Sequence, residues 1–300
     1  MKKIIISGAG GFIGSELTRK FVEDGYEVIA ISLNFNSAFP DNPCVRKYNI
    51  DIRESKNLLE ILNENEYEYD AFYHLAWRGV NGPEKANPQI QLDNINLTLM
   101  CAEVAHKIGC KKFLCAGTVA ERAVDSLSNI EKVSNGMFYG VAKHAAHLML
   151  ETYCKNVGLN FVWMQFSNIY GPQNKTGNLV SYTLGELTSG NEASFGPALQ
   201  PYDFIFVDDL INAAYKLGVS KTGKNYYVIG SGQPRILKDY LIQIGNEFGR
   251  PDLIKIGSRP DDGIIYSLEM FNNNDLIEDI GNYNKTDFDK GIKITIEGYK

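Results

Sequence analysis

The chain has 300 residues, 44% of them hydrophobic and 22% charged, with a formal net charge of -6. This is the composition of an ordinary globular protein with ample sequence for a packed core, and an acidic balance without a basic stripe argues against a non-specific nucleic-acid binder. No apolar run reaches the length of a membrane span, the opening MKKIII run meets glycines too soon for a signal peptide, and the five cysteines form no C-x-x-C pair, so a cytoplasmic protein with buried free thiols and no metal site is expected.

In chain order, the apolar run 4–6 reads as a buried strand. Residues 12–25 follow with helical periodicity, Phe12, Ile13, Leu17, Phe21 and Val22 falling on one face and Gly25 supplying the stop. Strand 27–31 comes next, then a shorter strand ending near Tyr48 and a helix over 55–63 with Ser55 as its N-cap. Strand 70–75, a long helix over 89–108, strand 112–115, helix 138–157 and strand 161–166 complete the alternation. The alternation of strands and helices predicts an α/β fold, a doubly wound parallel sheet with helices on both faces. Beyond Tyr170 the pattern becomes irregular. Segments 204–207 and 226–229 are expected to return to the main sheet or its edge. The expected division is a dinucleotide-binding domain over 1–170, with returning segments at about 203–230, and a smaller C-terminal lobe from 171–202 and 231–300.

The turn between the first strand and the first helix reads Ser7-Gly8-Ala9-Gly10-Gly11-Phe12-Ile13-Gly14. Gly8 permits the tight turn, Gly11 lets the backbone approach a pyrophosphate, and Gly14 packs helix on strand. The N–H groups that open the helix at Phe12 and Ile13 favour that anion. The strand-turn-helix context makes this a dinucleotide site. At the end of the second strand, where a carboxylate would hold the ribose hydroxyls of NAD, the residue is Ser32. Without that charge a 2′-phosphate is not repelled, which favours NADP(H), with NAD(H) as the alternative. Asp51 and Ile52 follow the third strand. The aspartate either accepts from the adenine amine or is a loop or capping residue.

Tyr139 and Lys143 stand four apart at the start of a helix and share one face. A lysine ammonium there is expected to lower the phenol pKa, and such a tyrosine can exchange a proton with a carbonyl or carbinol oxygen. Thr118 ends the strand before it, on the side of a parallel sheet that faces the ligand crevice, and is placed to polarise the same oxygen.

With these motifs in order, the chain resembles the extended short-chain dehydrogenases/reductases, the nucleotide-sugar epimerase/dehydratase group with a Rossmann fold. The likeness runs through GAGGFIG at 8–14, Asp51, His74-Leu75-Ala76, Asn94, Thr118, Tyr139/Lys143, Asn168-Ile169-Tyr170-Gly171-Pro172, Asp203 to Asp209, and Arg259-Pro260. It implies Thr118, Tyr139 and Lys143 as the catalytic triad, Leu75 and Ala76 lining the cofactor site, and Lys143 also holding the nicotinamide ribose. It further implies Asn168 and Arg259 as substrate contacts, the latter on a diphosphate, and a homodimer built from helices 89–108 and 138–157. Arg78, in the loop after the fourth strand, is a further candidate for a phosphate, beside Trp77, which either stacks on a sugar or base or is simply packed.

The chain departs from the family at Gln165 and Tyr202, where arginines are common, and Glu121-Arg122-Ala123 replaces a familiar valine-tyrosine-glycine. Sugar 4,6-dehydratases of the family carry Asp-Glu directly after the catalytic threonine. Here Thr118 is followed by Val119 and Ala120, neither of which can move a proton, which argues against a dehydratase. Glu121 is given no role, and His74 and His144 are read as structural. The leading expectation is therefore an NADP(H)-dependent nucleotide-sugar 4-ketoreductase, similar to CDP-abequose synthase-type reductases of surface-polysaccharide synthesis. A nucleotide-sugar 4-epimerase using the same triad is the alternative, and a non-catalytic nucleotide sensor the third.

Overall fold

The computed structural model describes residues 2–53, 55–63, 68–129, 136–172, 174, 176–261 and 266–299. Strand β1 (Lys3–Ser7) leads through the glycine turn into α1 (Phe12–Glu23), β2 (Glu27–Ser32) and β3 (Val45–Asn49). Helix α2 (Ser55–Asn63), β4 (Ala71–His74), α3 (Pro88–Lys107), β5 (Phe113–Thr118), α4 (Met137–Val157) and β6 (Phe161–Phe166) continue the alternation. The side chain of Ser55, expected as an N-cap, lies outside what is described. Helix α3 starts with Pro88 at its first position and the Asn87 side chain accepting from the N–H groups of Gln89 and Ile90, which satisfies donors that helix geometry leaves free.

After β6 come β7 (Asn168–Tyr170), α5 (Leu179–Thr188), β8 (Ala193–Ser194), β9 (Pro201–Tyr202), β10 (Phe204–Phe206), α6 (Val207–Val219) and β11 (Tyr226–Ile229). The chain ends with β12 (Arg235–Ile236), α7 (Leu237–Phe248), β13 (Ile254–Lys255), α8 (Asn274–Ile280) and α9 (Phe288–Glu297). The main sheet has seven parallel strands in the order β11-β6-β5-β4-β1-β2-β3. Thus 226–229 joins the edge as expected. Segment 204–207 does not reach that sheet: β10 pairs with β7, and Val207 already begins α6.

Alternate residues of the strands enter two separate cores, as a sheet covered on both faces requires. Ile4, Ile6, Val28 and Met164 pack with Leu17 and Phe21 of α1, Leu210 of α6 and residues of α5, α7 and α9. Ile5, Ile29, Phe113 and Trp163 pack with Leu58 of α2, Ile95 of α3 and Ala146 of α4. The first core runs without a break into the C-terminal segments. All five cysteines are free, four of them buried and Cys44 half-buried. Among the described residues no helix is long and apolar enough to cross a membrane, and no group of His, Cys, Asp and Glu gathers as metal ligands.

Candidate active site

Strand order reverses between β1, whose chain continues to β2, and its other neighbour β4. Their carboxyl ends part there, and a crevice opens at such a switch point. The cleft occupies about 700 Å³ and is lined by Gly8, Gly11, Phe12 and Ile13 of the turn, Ser32, Asp51, Ile52, Leu75, Ala76, Arg78, Thr118, Tyr139, Lys143 and Asn168. Every expected site residue but one therefore meets on a single surface. The exception is Arg259, which does not line the cleft; its guanidinium bonds the Tyr182 hydroxyl at 2.8 Å on the exposed surface of the C-terminal segments.

The glycine turn fits a dinucleotide. Gly8 has φ +75°, and a Cβ there would lie 2.7 Å from the backbone nitrogen of Ala76. At Gly14 a Cβ would lie 2.2 Å from the Gly8 carbonyl oxygen, so the start of α1 sits directly on the turn. Gly11 is the N-cap of α1 and offers no side-chain cap, so the first helical N–H groups remain for an anion.

At the other end of the turn, β2 and β3 pair in parallel with Ser32 opposite Asn49, and Ile50 N–H bonds the Ser32 carbonyl. This register brings residues 50–53 beside Ser32. Arg53 also lines the cleft, its Nε 2.9 Å from both Asp51 carboxylate oxygens. That pairing holds the Asp51 carboxyl below the usual range. The sequence reading missed this arginine because it follows β3, not β2; only the strand register brings it close.

Tyr139 and Lys143 share one face of α4, as their spacing requires, but their environment differs from expectation. The Lys143 ammonium is buried, donates to the Ala116 carbonyl at 2.6 Å and lies 3.7 Å from the centroid of the Trp77 ring. Burial pulls Lys143 down to about 8. Burial also pushes the Tyr139 phenol up, with a hydrogen bond to the Thr118 side chain acting the other way. The phenol is thus held above its ordinary value instead of below it, burial outweighing the hydrogen bond to Thr118.

The loop after β4 is clasped by α3. Gln91 is buried; its amide donates to the Gly79 carbonyl at 2.9 Å and accepts from the Trp77 indole N–H at 2.9 Å. Asn94 accepts from the backbone N–H of Arg78 and donates to its carbonyl at 2.7 Å. Arg78 pairs with Glu84. Trp77 stands edge-on to Tyr139, and Lys85 of the same loop places its ammonium 5.4 Å from the Tyr139 ring centroid. Gln91 and Lys85 were not foreseen. For Gln91 a signal existed: it shares the i, i+3, i+4, i+7 stripe of Asn94, Ile95 and Thr98 on the buried face of α3. Gln165 is buried in β6 behind the site and does not line the cleft, so its replacement of an arginine removes no cation from the cleft wall. Val119 and Ala120 do line it.

The fold and this cleft define a dinucleotide-dependent enzyme, and the family model described as the NAD dependent epimerase/dehydratase family matches residues 4–230. The chain belongs to that family. It is 26% identical to the putative UDP-glucose 4-epimerase of Methanocaldococcus jannaschii, over 99% of this chain and 98% of that one. It is 22% identical to the CDP-abequose synthase of Salmonella muenchen, over 97% and 96% of the two chains. The structure of UDP-glucose 4-epimerase from Thermotoga maritima with UDP-glucose superposes with a TM-score of 0.83 at 22% identity, covering 99% of this chain and 98% of that one.

Proposed function

We propose that the protein reduces a nucleotide 4-keto-6-deoxysugar at C4 with NADPH, in the synthesis of sugars for surface polysaccharides. The observation that carries the choice of reductant is the adenosine end of the cleft, where Ser32 ends β2 and the neighbouring Asp51 is neutralised by Arg53. A 2′-phosphate meets a hydroxyl and a guanidinium there instead of an unpaired carboxylate. A Ser32→Asp variant should lose NADPH affinity at least tenfold while keeping NADH; unchanged NADPH affinity would remove this support.

The dinucleotide, when bound, supplies the hydride. Tyr139 delivers its phenolic proton to the C4 oxygen as that oxygen becomes an alkoxide, which suits a phenol that burial keeps protonated. Thr118, hydrogen-bonded to Tyr139, orients the carbonyl. Lys143 holds a ribose hydroxyl and keeps positive charge near the phenol. Phe12, Ile13, Leu75, Ala76 and Ile52 surround the dinucleotide; Arg78 and Asn168 face the nucleotide sugar. In this reading 1–170 with 203–230 bind the dinucleotide, and 171–202 with 231–300 form the substrate lobe. With Val119 and Ala120 beside Thr118, no acid stands there to remove water from the sugar.

The epimerase reading is favoured by the match to the putative 4-epimerase along nearly the whole of both chains. Incubation with a UDP- or CDP-hexose and no added nicotinamide separates the two: turnover without reductant means epimerase. We further propose a homodimer through α3 and α4. Leu92, Phe138, Val141, Leu148 and Met149 are large apolar side chains exposed on these two helices, which pack against each other. A Leu148→Asp variant should sediment as monomer, whereas a monomeric wild type would end this proposal.

A further inference from the structure

Behind the strand end that carries Thr118 lies a buried polar cluster that the proposed chemistry does not use. Its centre is Glu121, 1% exposed. One carboxylate oxygen accepts the backbone N–H of Thr118 at 2.6 Å and the Trp163 indole N–H at 3.2 Å. The other accepts from Trp163 at 3.1 Å and from the Gln165 amide at 3.4 Å. The packing is tight enough that a Cβ on Gly117 would lie 2.8 Å from the carboxylate and 2.2 Å from the indole nitrogen. Around this core Arg122 bonds the Gln165 amide oxygen at 3.2 Å and the Tyr226 hydroxyl at 2.6 Å, and Tyr226 donates to Gln165 at 2.5 Å. The His147 ring stacks on Trp163 at 4.8 Å between centroids.

A buried carboxylate is costly unless paired or fully hydrogen-bonded. Here three donors stabilise the charged form, one being the backbone of the residue expected to polarise the substrate oxygen, while burial still pushes the carboxyl up to about 7. The charge has a further consequence, because the equally buried Lys143 ammonium lies 5.9 Å from the centroid of the same Trp163 ring whose N–H the carboxylate accepts. We propose that Glu121 is a positioning residue of the active centre: its carboxylate fixes the backbone at Thr118 and places a buried negative charge beside the Lys143 ammonium. This rests on the reading of Thr118, Tyr139 and Lys143 as the reacting site.

Several titratable groups face Glu121. Lys143, Tyr139 and His147 face it from α4, Cys115 from β5 and Tyr226 from β11, with Arg122 beside it. Of these, Lys143 is the buried cation whose titration falls near neutrality. Against burial its pKa is held up by Cys115 and by Glu121, so neutralising Glu121 moves it down.

Two variants separate the roles. Glu121→Gln keeps an acceptor for Thr118 N–H but removes the charge; Glu121→Val removes both. The pH dependence of NADPH affinity and of kcat/KM is measured on the full-length protein, with circular dichroism to establish that each variant is folded. For Glu121→Gln the expected result is an alkaline limb displaced by about one unit to lower pH in both profiles, with kcat at its optimum reduced less than tenfold. For Glu121→Val kcat falls at least a further tenfold with KM within threefold of wild type. Unshifted alkaline limbs in Glu121→Gln overturn the charge role, and a kcat for Glu121→Val equal to that of Glu121→Gln overturns the positioning role. If Glu121→Val is unfolded, the displaced limb of Glu121→Gln still decides the charge role, and an amide-proton shift at Thr118 in Glu121→Gln smaller than for distant residues overturns positioning. If the wild type turns over no nucleotide sugar, the NADPH-affinity limb still tests Lys143, and only the functional reading fails.

Discussion

Replacing Gly8 by alanine tests the glycine turn as a physical object. Gly8 sits at φ +75°, and an added Cβ would lie 2.7 Å from Ala76 N, 2.9 Å from Ala76 Cα and 2.9 Å from the Leu75 carbonyl carbon. The left-handed backbone costs an L-residue about 1–2 kcal/mol. All three close atoms are backbone, so relief requires the ends of β1 and β4 to part, and such overpacking costs about 1–3 kcal/mol more. The sum is about 2–5 kcal/mol. Gly25 provides the control: it has φ +79° with nothing within 4 Å of an added Cβ, so Gly25→Ala should cost only the backbone share, about 1 kcal/mol after the gain from a stiffer unfolded chain. Urea unfolding of both variants, with an NADPH fluorescence titration on each, measures the difference. Gly8→Ala should be the less stable by at least about 1 kcal/mol and bind NADPH at least tenfold more weakly, while Gly25→Ala binds normally. Equal stabilities, or undiminished affinity in Gly8→Ala, would refute the claim that close approach of the turn to β4 builds the site.

Three further outcomes follow from His74, Gln91 and Trp77. Burial, with Lys143 nearby, holds the His74 imidazole down at about 3 against its ordinary 6.5. Its folded pKa is depressed, so the unfolded chain takes up the proton first, and stability present above pH 6.5 is lost as pH falls toward 3. Between neutrality and pH 5 this amounts to roughly 2 kcal/mol, and chemical denaturation of His74→Gln should show a pH slope shallower by that amount. Gln91→Leu should leave the Trp77 indole N–H and the Gly79 carbonyl unpaired, costing about 1–3 kcal/mol and lowering kcat by loosening Trp77 over Lys143. Trp77→Phe, which keeps a ring face for the ammonium, should retain more activity than Trp77→Ala; equal losses would show that the clasp does not act through that contact.

The first half of the fold was legible because its signals are local. Each buried strand is a short apolar run, each helix has its stripe, and the glycine spacing sits where β1 meets α1. Tyr139 and Lys143 were placed correctly on one face for the same reason, since helical spacing is independent of the rest of the chain. What surrounds them was not legible. That Lys143 meets the Ala116 carbonyl and the Trp77 ring depends on how β5 and the loop after β4 approach α4. Arg53 joins Ser32 in the lining of the cleft only through the β2–β3 register. The Glu121 cluster joins residues 121 and 122 to 163, 165 and 226 across adjacent strands, so a carboxylate that read as an idle neighbour of Thr118 became the centre of a network. Beyond Tyr170, strands of two or three residues carry too little periodicity to declare their partners, and β10 was therefore assigned to the wrong sheet.

Transfer of deuterium tests the central claim most directly. NADPH carrying deuterium on the transferring face of C4 is supplied with a nucleotide 4-keto-6-deoxysugar, and the product is analysed by mass spectrometry and NMR. The account predicts one deuterium at C4 of the sugar for each NADPH oxidised, and a Tyr139→Phe variant slower by at least about a hundredfold. Product formed at an undiminished rate without NADPH, or without label at C4, would contradict it.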